Sequence, residues 1–239
     1  MRDISTSEED PEQPTVRMRA LLIDMNFQGK TVLIIGGGKV GERKAAKLLT
    51  AGAKVVVVSK DFTERLRRLS LANKLQLTTA DLEMTPEGIR SLASNADFVI
   101  AATNQSGLNR RIAEEARQQR KPVNVVDSPH LGDFTMPDIS RVGAFHIAIS
   151  TRGKSPAMAS LLRKRIEETI SEEDIMMVRL QAYARKLAKA RIANQRSRRK
   201  TLRMIIEDSR VRRLLKERNF PKAKNLAKRI IEGQESYDS

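Results

Sequence analysis

One stretch constrains this chain more than any other: residues 31–41, TVLIIGGGKVG. Residues 32–35 form a continuous apolar run, as expected of a strand buried on both faces. Gly36, Gly38 and Gly41 then fit the spacing G-x-G-x-x-G. Residues 42–49 carry apolar side chains at helical intervals. A strand, three glycines and a helix in register describe a dinucleotide-binding turn. Gly36 permits the tight turn, Gly38 lets the backbone approach a pyrophosphate, and Gly41 lets the helix pack close to the strand. Free backbone N–H groups at the helix start would face the phosphates. A glycine-rich turn without a ligand would share the glycines; the flanking strand and helix argue for the ligand.

The pattern repeats downstream. Residues 55–58 read as a second buried strand, following a helix stop at Gly52. It ends at Ser59, Lys60 and Asp61, the corner where such folds read the adenosine ribose. An acid usually stands there, about 20 residues beyond the glycines. Here Ser59 takes the tip, Asp61 lies two residues on, and Lys60 would favour a 2′-phosphate, so NAD and NADP both stay open. Asp61 also reads as an N-cap for a helix over 63–72. Further strands are expected at 75–78, 97–102 and 122–126, with Thr85-Pro86 opening one intervening helix and residues 108–119 forming another. This alternation predicts an α/β fold, a Rossmann doubly wound parallel sheet. Ligands bind such sheets at the carboxyl ends of the strands, where Thr103, Asn104 and Asp127 fall.

Composition narrows the function classes. At 239 residues there is room for one nucleotide-binding domain and a smaller partner. Aromatics make up 3%, too few for stacking platforms on single-stranded nucleic acid. There is no cysteine, hence no thiolate metal site or cysteine nucleophile, and two histidines, His130 and His146, do not make a histidine-rich metal site. No apolar run would span a bilayer and no signal peptide is apparent, so a soluble, cytoplasmic protein is expected. The net charge of +16 is concentrated: residues 179–229 hold 19 Lys and Arg against Glu207, Asp208 and Glu217, a local excess equal to that of the whole chain. Such a tract reads either as a solvated helical surface or as a surface for an anionic partner.

The pattern changes after Asp127. Residues 134–139 and 144–150 read as two strands joined through Arg141, Val142 and Gly143, with His146 a packed or hydrogen-bonded core residue. Then comes a loop, Ser150, Thr151, Arg152, Gly153, Lys154, with Ser155 as N-cap and Pro156 as first helical residue. Its hydroxyls and cations before a helix N-terminus form a candidate anion site, or simply a capped loop. Met158, Leu161, Leu162, Ile166 and Ile170 follow on one helix face. Residues 171–174 begin a second helix with acids in its first turn, and the chain stays helical and basic to Ile231. The expected division is a disordered tail at 1–17, a Rossmann domain at 18–133, a dimerisation region at 134–170 and a basic helical domain at 171–239. Residues 20–23 are expected to form a short edge strand.

Five segments together resemble a known family: MNFQGKTVLIIGGGKVGERKAAKLL, VVVVSKDF, DFVIAATNQSGLN, VNVVDSPHLGDFTMPDI and IAISTRGKSPAMASLLRKRIE. In this order they are similar to precorrin-2 dehydrogenase, the dehydrogenase part of siroheme synthase, from about residue 20 to 170. The NVVD…F-x-M-P pair and the S-x-x-G-x-S-P block are the specific ones. The resemblance implies oxidation of precorrin-2 to sirohydrochlorin with NAD, in a homodimer whose hairpin region exchanges contacts between subunits. Some relatives also insert Fe²⁺, which makes ferrous iron a second candidate substrate. The resemblance marks Asp127 as the functionally important acid, Gly38, Lys39 and Val40 as cofactor-loop positions, Ser59, Lys60 and Asp61 as the ribose corner, and Ser150, Thr151 and Ser155 as the hydroxyl-rich loop. The family usually carries proline at the position of Lys60 and often cysteine at that of Gly132.

The substrate so implied is a tetrapyrrole with eight carboxylates, for which Arg152, Lys154, a helix N-terminus and the basic segment offer charge. Asp127 is the candidate catalytic acid–base group, with Thr103 and Asn104 near the nicotinamide; no metal-ligating residues are assigned. A competing reading is an NAD-sensing regulatory Rossmann module without catalysis, against which Ser59 and the NVVD–MP continuation argue. Nucleic-acid binding by the basic helices is disfavoured by the low aromatic content and the lack of a binding motif.

Overall fold

The computed structural model describes residues 21–81, 86–151 and 154–233. The expected tail, Ala20, Leu82 to Thr85, Arg152 and Gly153 lie outside them. The chain divides into two units, Met1–Met136 and Pro137–Ser239.

The first unit is built on five parallel strands: β1 (Thr31–Ile35), β2 (Lys54–Ser59), β3 (Gln76–Thr79), β4 (Phe98–Ala101) and β5 (Val123–Val125). Helices α1 (Lys39–Thr50), α2 (Glu64–Leu71), α3 (Pro86–Ser94) and α4 (Ser106–Gln118) connect them. The strand order is β3-β2-β1-β4-β5. The order reverses between β1 and β4, which creates the switch point where such sheets bind ligands.

The near-continuous apolar strands follow from burial on both faces. Leu33 and Ile35 of β1 pack with Val99, Val123, Ile89 and Ile112 on one side. Val32 and Ile34 pack with Leu48, Val57, Leu66 and Ile100 on the other. Each such side chain, fully buried, stabilises the unit by about 1.5–3 kcal/mol. Gly52, with φ of +82°, ends α1 as expected.

Three local readings are corrected. Residues 21–23 form no strand; Leu21, Leu22 and Ile23 are exposed and irregular. Asp61 does not cap α2. Thr63 does, its hydroxyl accepting the Leu66 N–H at 3.3 Å. Residues 134–137 are not strand: Phe134 and Met136 pack on the sheet core, and the Phe134 ring meets Phe98 edge-on at 5.8 Å. Their apolar character serves the first unit, and Pro137, with no N–H to give a ladder, precedes the next strand.

The second unit opens with an antiparallel hairpin, β6 (Asp138–Val142) and β7 (Phe145–Ile149), turning at Gly143 and Ala144. Gly143 has φ of +58°, and a Cβ there would lie 2.8 Å from Ile175, so glycine is required twice over. Within β7, Phe145, Ile147 and Ile149 face inward and His146 is exposed. The period-2 alternation turns His146 to the open face, not into a core.

Helix α5 (Pro156–Thr169) packs on the hairpin and is tied to it by Arg163, whose Nε lies 2.8 Å from Asp138 and which also bonds Glu167. Four further helices follow: α6 (Glu172–Arg191), α7 (Gln195–Glu207), α8 (Ser209–Lys216) and α9 (Phe220–Ile231). A capping box of Ser171 and Asp174 starts α6. Leu180, Ala184, Ile205, Leu215 and Ala227 fill their core. The small residues Ala184, Ala188, Ala223 and Ala227 let the backbones approach closely. No helix among the described residues is long and apolar enough to cross a membrane.

Candidate active site

The glycine turn is built as its spacing requires. Gly36 has φ of +122°, and a Cβ there would lie 2.3 Å from the Ala102 carbonyl oxygen. A Cβ on Gly41 would lie 2.0 Å from the Gly36 oxygen. Neither position admits another residue. At Gly38 a Cβ would meet nothing within 4 Å. That glycine therefore leaves open space beside the start of α1, where a ligand's backbone approach would use it. Gly38 is the N-cap and no side chain caps it. The first helical bond is Glu42 N–H to the Gly38 oxygen at 2.9 Å, so Lys39, Val40 and Gly41 precede the hydrogen-bonded ladder. These features fit a dinucleotide pyrophosphate.

Gly37, which the spacing rule ignores, joins this turn to the residues expected at the ribose corner. Its carbonyl accepts the Thr63 N–H at 3.1 Å. A Cβ on it would lie 2.3 Å from the Asp61 carbonyl and 2.9 Å from the Ser59 Cβ. Ser59 is buried at the tip of β2, while Lys60 and Asp61 are exposed. The Lys60 ammonium lies 2.8 Å from an Asp81 carboxylate oxygen. Its charge is thereby offset, which weakens the expectation that it favours a 2′-phosphate.

Across the switch point the ends of β4 and β5 share one polar network. Its hub is Asn109 on α4, 1% exposed. The Asn109 Oδ1 accepts the Thr103 hydroxyl at 2.7 Å and the Thr103 N–H at 3.2 Å. Its Nδ2 donates to the Thr103 carbonyl at 3.1 Å and to Asp127 Oδ1 at 3.0 Å. The Ser106 hydroxyl donates to Asp127 Oδ2 at 2.7 Å. Both oxygens of the exposed Asp127 are thus oriented from α4. The structure brings Thr103 and Asp127 together; Asn104 is exposed beside them.

The amino-acid sequence alone does not mark Asn109 and Ser106 as site residues. A signal existed for the first: Asn109 occupies the buried stripe of α4 with Ile112, Ala113 and Ala116, where a polar residue needs a partner. Nothing in the sequence singles out Ser106. Nearby, Gly132 backs against β5, where a Cβ would lie 3.0 Å from the Val123 oxygen and 3.1 Å from the Val125 nitrogen. Among the described residues no three His, Cys, Asp or Glu side chains gather as a metal-holding group.

In the second unit, the hydroxyl-rich loop folds on itself. Thr151 Oγ1 accepts the Ser155 N–H at 3.0 Å, and the Thr151 carbonyl accepts the Lys154 N–H at 3.1 Å. Ser155 caps α5, its hydroxyl accepting the Met158 N–H at 3.3 Å, with Pro156 in the first turn. Ser150 and Lys154 are exposed. Arg152 lies outside the described residues.

Residues 23–138 match a family model described as "Putative NAD(P)-binding", and residues 146–169 match one described as "Sirohaem biosynthesis protein central". The chain is 36% identical to the precorrin-2 dehydrogenase of Methanosarcina barkeri over 192 residues, 80% of this chain and 84% of that one. It is 37% identical to siroheme synthase 2 of Yersinia enterocolitica over 174 residues, 73% of this chain and 36% of that longer one. Its fold matches the solved structure of SirC, a precorrin-2 dehydrogenase, with a TM-score of 0.67 at 22% identity, covering 87% of this chain and all of that one.

Proposed function

The chain belongs to the precorrin-2 dehydrogenase family, and we propose that it oxidises precorrin-2 to sirohydrochlorin with NAD⁺ in siroheme biosynthesis. The observation that carries the mechanism is Asp127, oriented through both oxygens by Asn109 and Ser106 beside Thr103. Bound nicotinamide would supply the hydride acceptor for the oxidation. A proton must also leave, and Asp127 is the group placed to take it. With both oxygens already accepting hydrogen bonds, its carboxylate is held in one orientation without needing to reorganise during reaction. Gly36, Gly38, Lys39, Val40 and Gly41 would hold the pyrophosphate; Ser59, Lys60 and Asp61 would line the ribose corner; Thr103 and Asn104 would flank the nicotinamide.

The substrate's carboxylates need cations and donors. Ser150, Thr151, Arg152, Lys154 and Ser155 supply them at the start of α5. The excess charge of residues 179–229 raises the local concentration of such a polyanion at low ionic strength. The working unit is a homodimer. In support, Ile139, Met158, Leu161, Leu162 and Ile166 on the hairpin and α5 are between 39% and 47% exposed, a face a second copy would cover. The expected dimerisation region, 134–170, holds all five.

The test is anaerobic turnover of precorrin-2 by the purified protein, followed by absorbance with NAD⁺ and NADP⁺ in parallel. Sirohydrochlorin forming with NAD⁺ supports the proposal. A folded protein that binds NAD⁺ yet gives no sirohydrochlorin overturns it. Ferrous iron added afterwards, as substrate, separates oxidation from iron insertion by comparison with a metal-only control.

A further inference from the structure

The tip of β2 lacks the acid that normally discriminates against a 2′-phosphate; the exposed Asp61 lies two residues on. Ser59 stands at the tip of β2, and a serine does not repel an anion. The corner also holds cations. Lys60 follows Ser59, and Arg65 lies on the first turn of α2, the helix that begins where Thr63 bonds to the glycine turn. By residue type alone, such a corner invites NADP.

The geometry reverses that expectation. Lys60 is paired with Asp81 at 2.8 Å. Arg65 Nη1 lies 3.8 Å from Glu42 Oε1, and Lys39 Nζ lies 3.8 Å from Glu42 Oε2. Glu42 sits in the first turn of α1 and is 6% exposed. Its Oε2 is buried without a hydrogen-bond partner, an uncommon state for a carboxylate oxygen. The Thr63 side chain at the cap of α2 holds the Glu42 carboxyl below the usual carboxylate range despite its burial. Lys39 and Arg65 draw it the same way. The apolar packing of α1 on the sheet is made by Ala45 and Leu48, with Gly41 close against Gly36. A charge kept buried and incompletely bonded in a dinucleotide corner has a use in discrimination.

We propose that Glu42 is the residue that selects NAD⁺ over NADP⁺, by pairing with Arg65 and so denying that guanidinium to a 2′-phosphate. Asp81 does the same for Lys60 from the end of β3. This rests on the dinucleotide reading of the glycine turn. Glu42 acts through Arg65 and is a positioning residue, not a ligand of the cofactor.

The test is calorimetric titration of the full chain with NAD⁺ and NADP⁺, for wild type, Glu42→Gln and the Glu42→Gln/Arg65→Ala double variant, each checked for folding by circular dichroism. The expected result is an NADP⁺ affinity raised about tenfold relative to NAD⁺ in Glu42→Gln, from one unit charge removed and one guanidinium released near a doubly charged phosphate. The double variant should return the ratio to its wild-type value. A merely structural Glu42 would weaken both ligands together and could not produce a selective gain. An unchanged ratio in Glu42→Gln, or a gain that persists without Arg65, overturns the proposal while leaving the cofactor reading intact. Failure of the wild type to bind either dinucleotide overturns the cofactor reading itself, and this proposal with it.

Discussion

Replacing Asn109 with alanine probes the site most directly. The side chain makes four hydrogen bonds, at 2.7, 3.0, 3.1 and 3.2 Å, to Thr103 and Asp127. Each ordinary bond contributes about 0.5–1.5 kcal/mol net, and a buried group left unpaired costs more. Some of this loss is recovered. Asp127 is exposed and keeps its Ser106 bond, and the Thr103 hydroxyl keeps the Gln105 carbonyl at 3.2 Å. What stays unsatisfied is the half-buried Thr103 N–H and carbonyl. The net destabilisation of the Rossmann unit is therefore about 2–3 kcal/mol. Turnover should fall further than stability explains, by about one to two orders of magnitude, because Asp127 loses one of its two fixed contacts. Urea unfolding gives the first quantity, and precorrin-2 turnover at saturating NAD⁺, under conditions where the variant is folded, gives the second. Unchanged turnover in a folded, destabilised variant would refute the orienting role of Asn109. An unchanged urea midpoint would refute the network as a source of stability.

Three further predictions follow from other parts of the structure. Gly41→Ala places a Cβ 2.0 Å from the Gly36 oxygen, so it should abolish measurable NAD⁺ binding by calorimetry; retention of binding within threefold would contradict the packing described. Burial, with repulsion from Lys47 and Arg43, pushes the Lys44 ammonium down to about 8. The folded state therefore gives up a proton that the unfolded chain keeps until about pH 10.4, and the resulting destabilisation is full below pH 8 and fades as pH rises. Lys44→Met should thus stabilise the protein by about 1–3 kcal/mol at pH 7, with the gain shrinking by pH 10; an equal difference at both pH values in urea unfolding would reject this origin. Asp208 is fully buried, accepts the Arg210 and Val211 N–H groups at 2.9 and 3.1 Å, and meets the Arg210 guanidinium at 2.8 Å. Burial pushes its carboxyl up, but Arg210 and the backbone donors outweigh this and hold it below the usual range. Its contribution is therefore present above about pH 4 and lost as pH falls through the folded value. Asp208→Ala should cost the helical unit about 2–4 kcal/mol at neutral pH and remove that acid sensitivity, as read by far-ultraviolet circular dichroism in urea.

Much of the Rossmann unit was legible in the amino-acid sequence alone, because its determinants are local. Each strand of the parallel sheet is a short apolar run, since burial on both faces removes polar alternation. The three glycines declare themselves by spacing, and Ser155-Pro156 declares a helix start. Asp127 could be placed at a strand end from its neighbours. The residues that orient it could not, because Asn109 and Ser106 reach it from a helix 18 and 21 positions earlier, and only the packing of α4 beside β5 brings them together. The same limit explains the errors. Phe134 and Met136 look like strand residues until the sheet core claims them. His146 looks internal until the pairing of β6 with β7 sets which face is covered. Lys60 looks like a free cation until Asp81 is found beside it. Sequence by itself determined the type of fold, the glycine turn and the charge of the helical unit, since periodicity, glycine spacing and composition are properties of neighbouring residues. Tertiary structure decided which polar groups are partners, because hydrogen bonds and ion pairs depend on distances between elements that the chain brings together only when it folds.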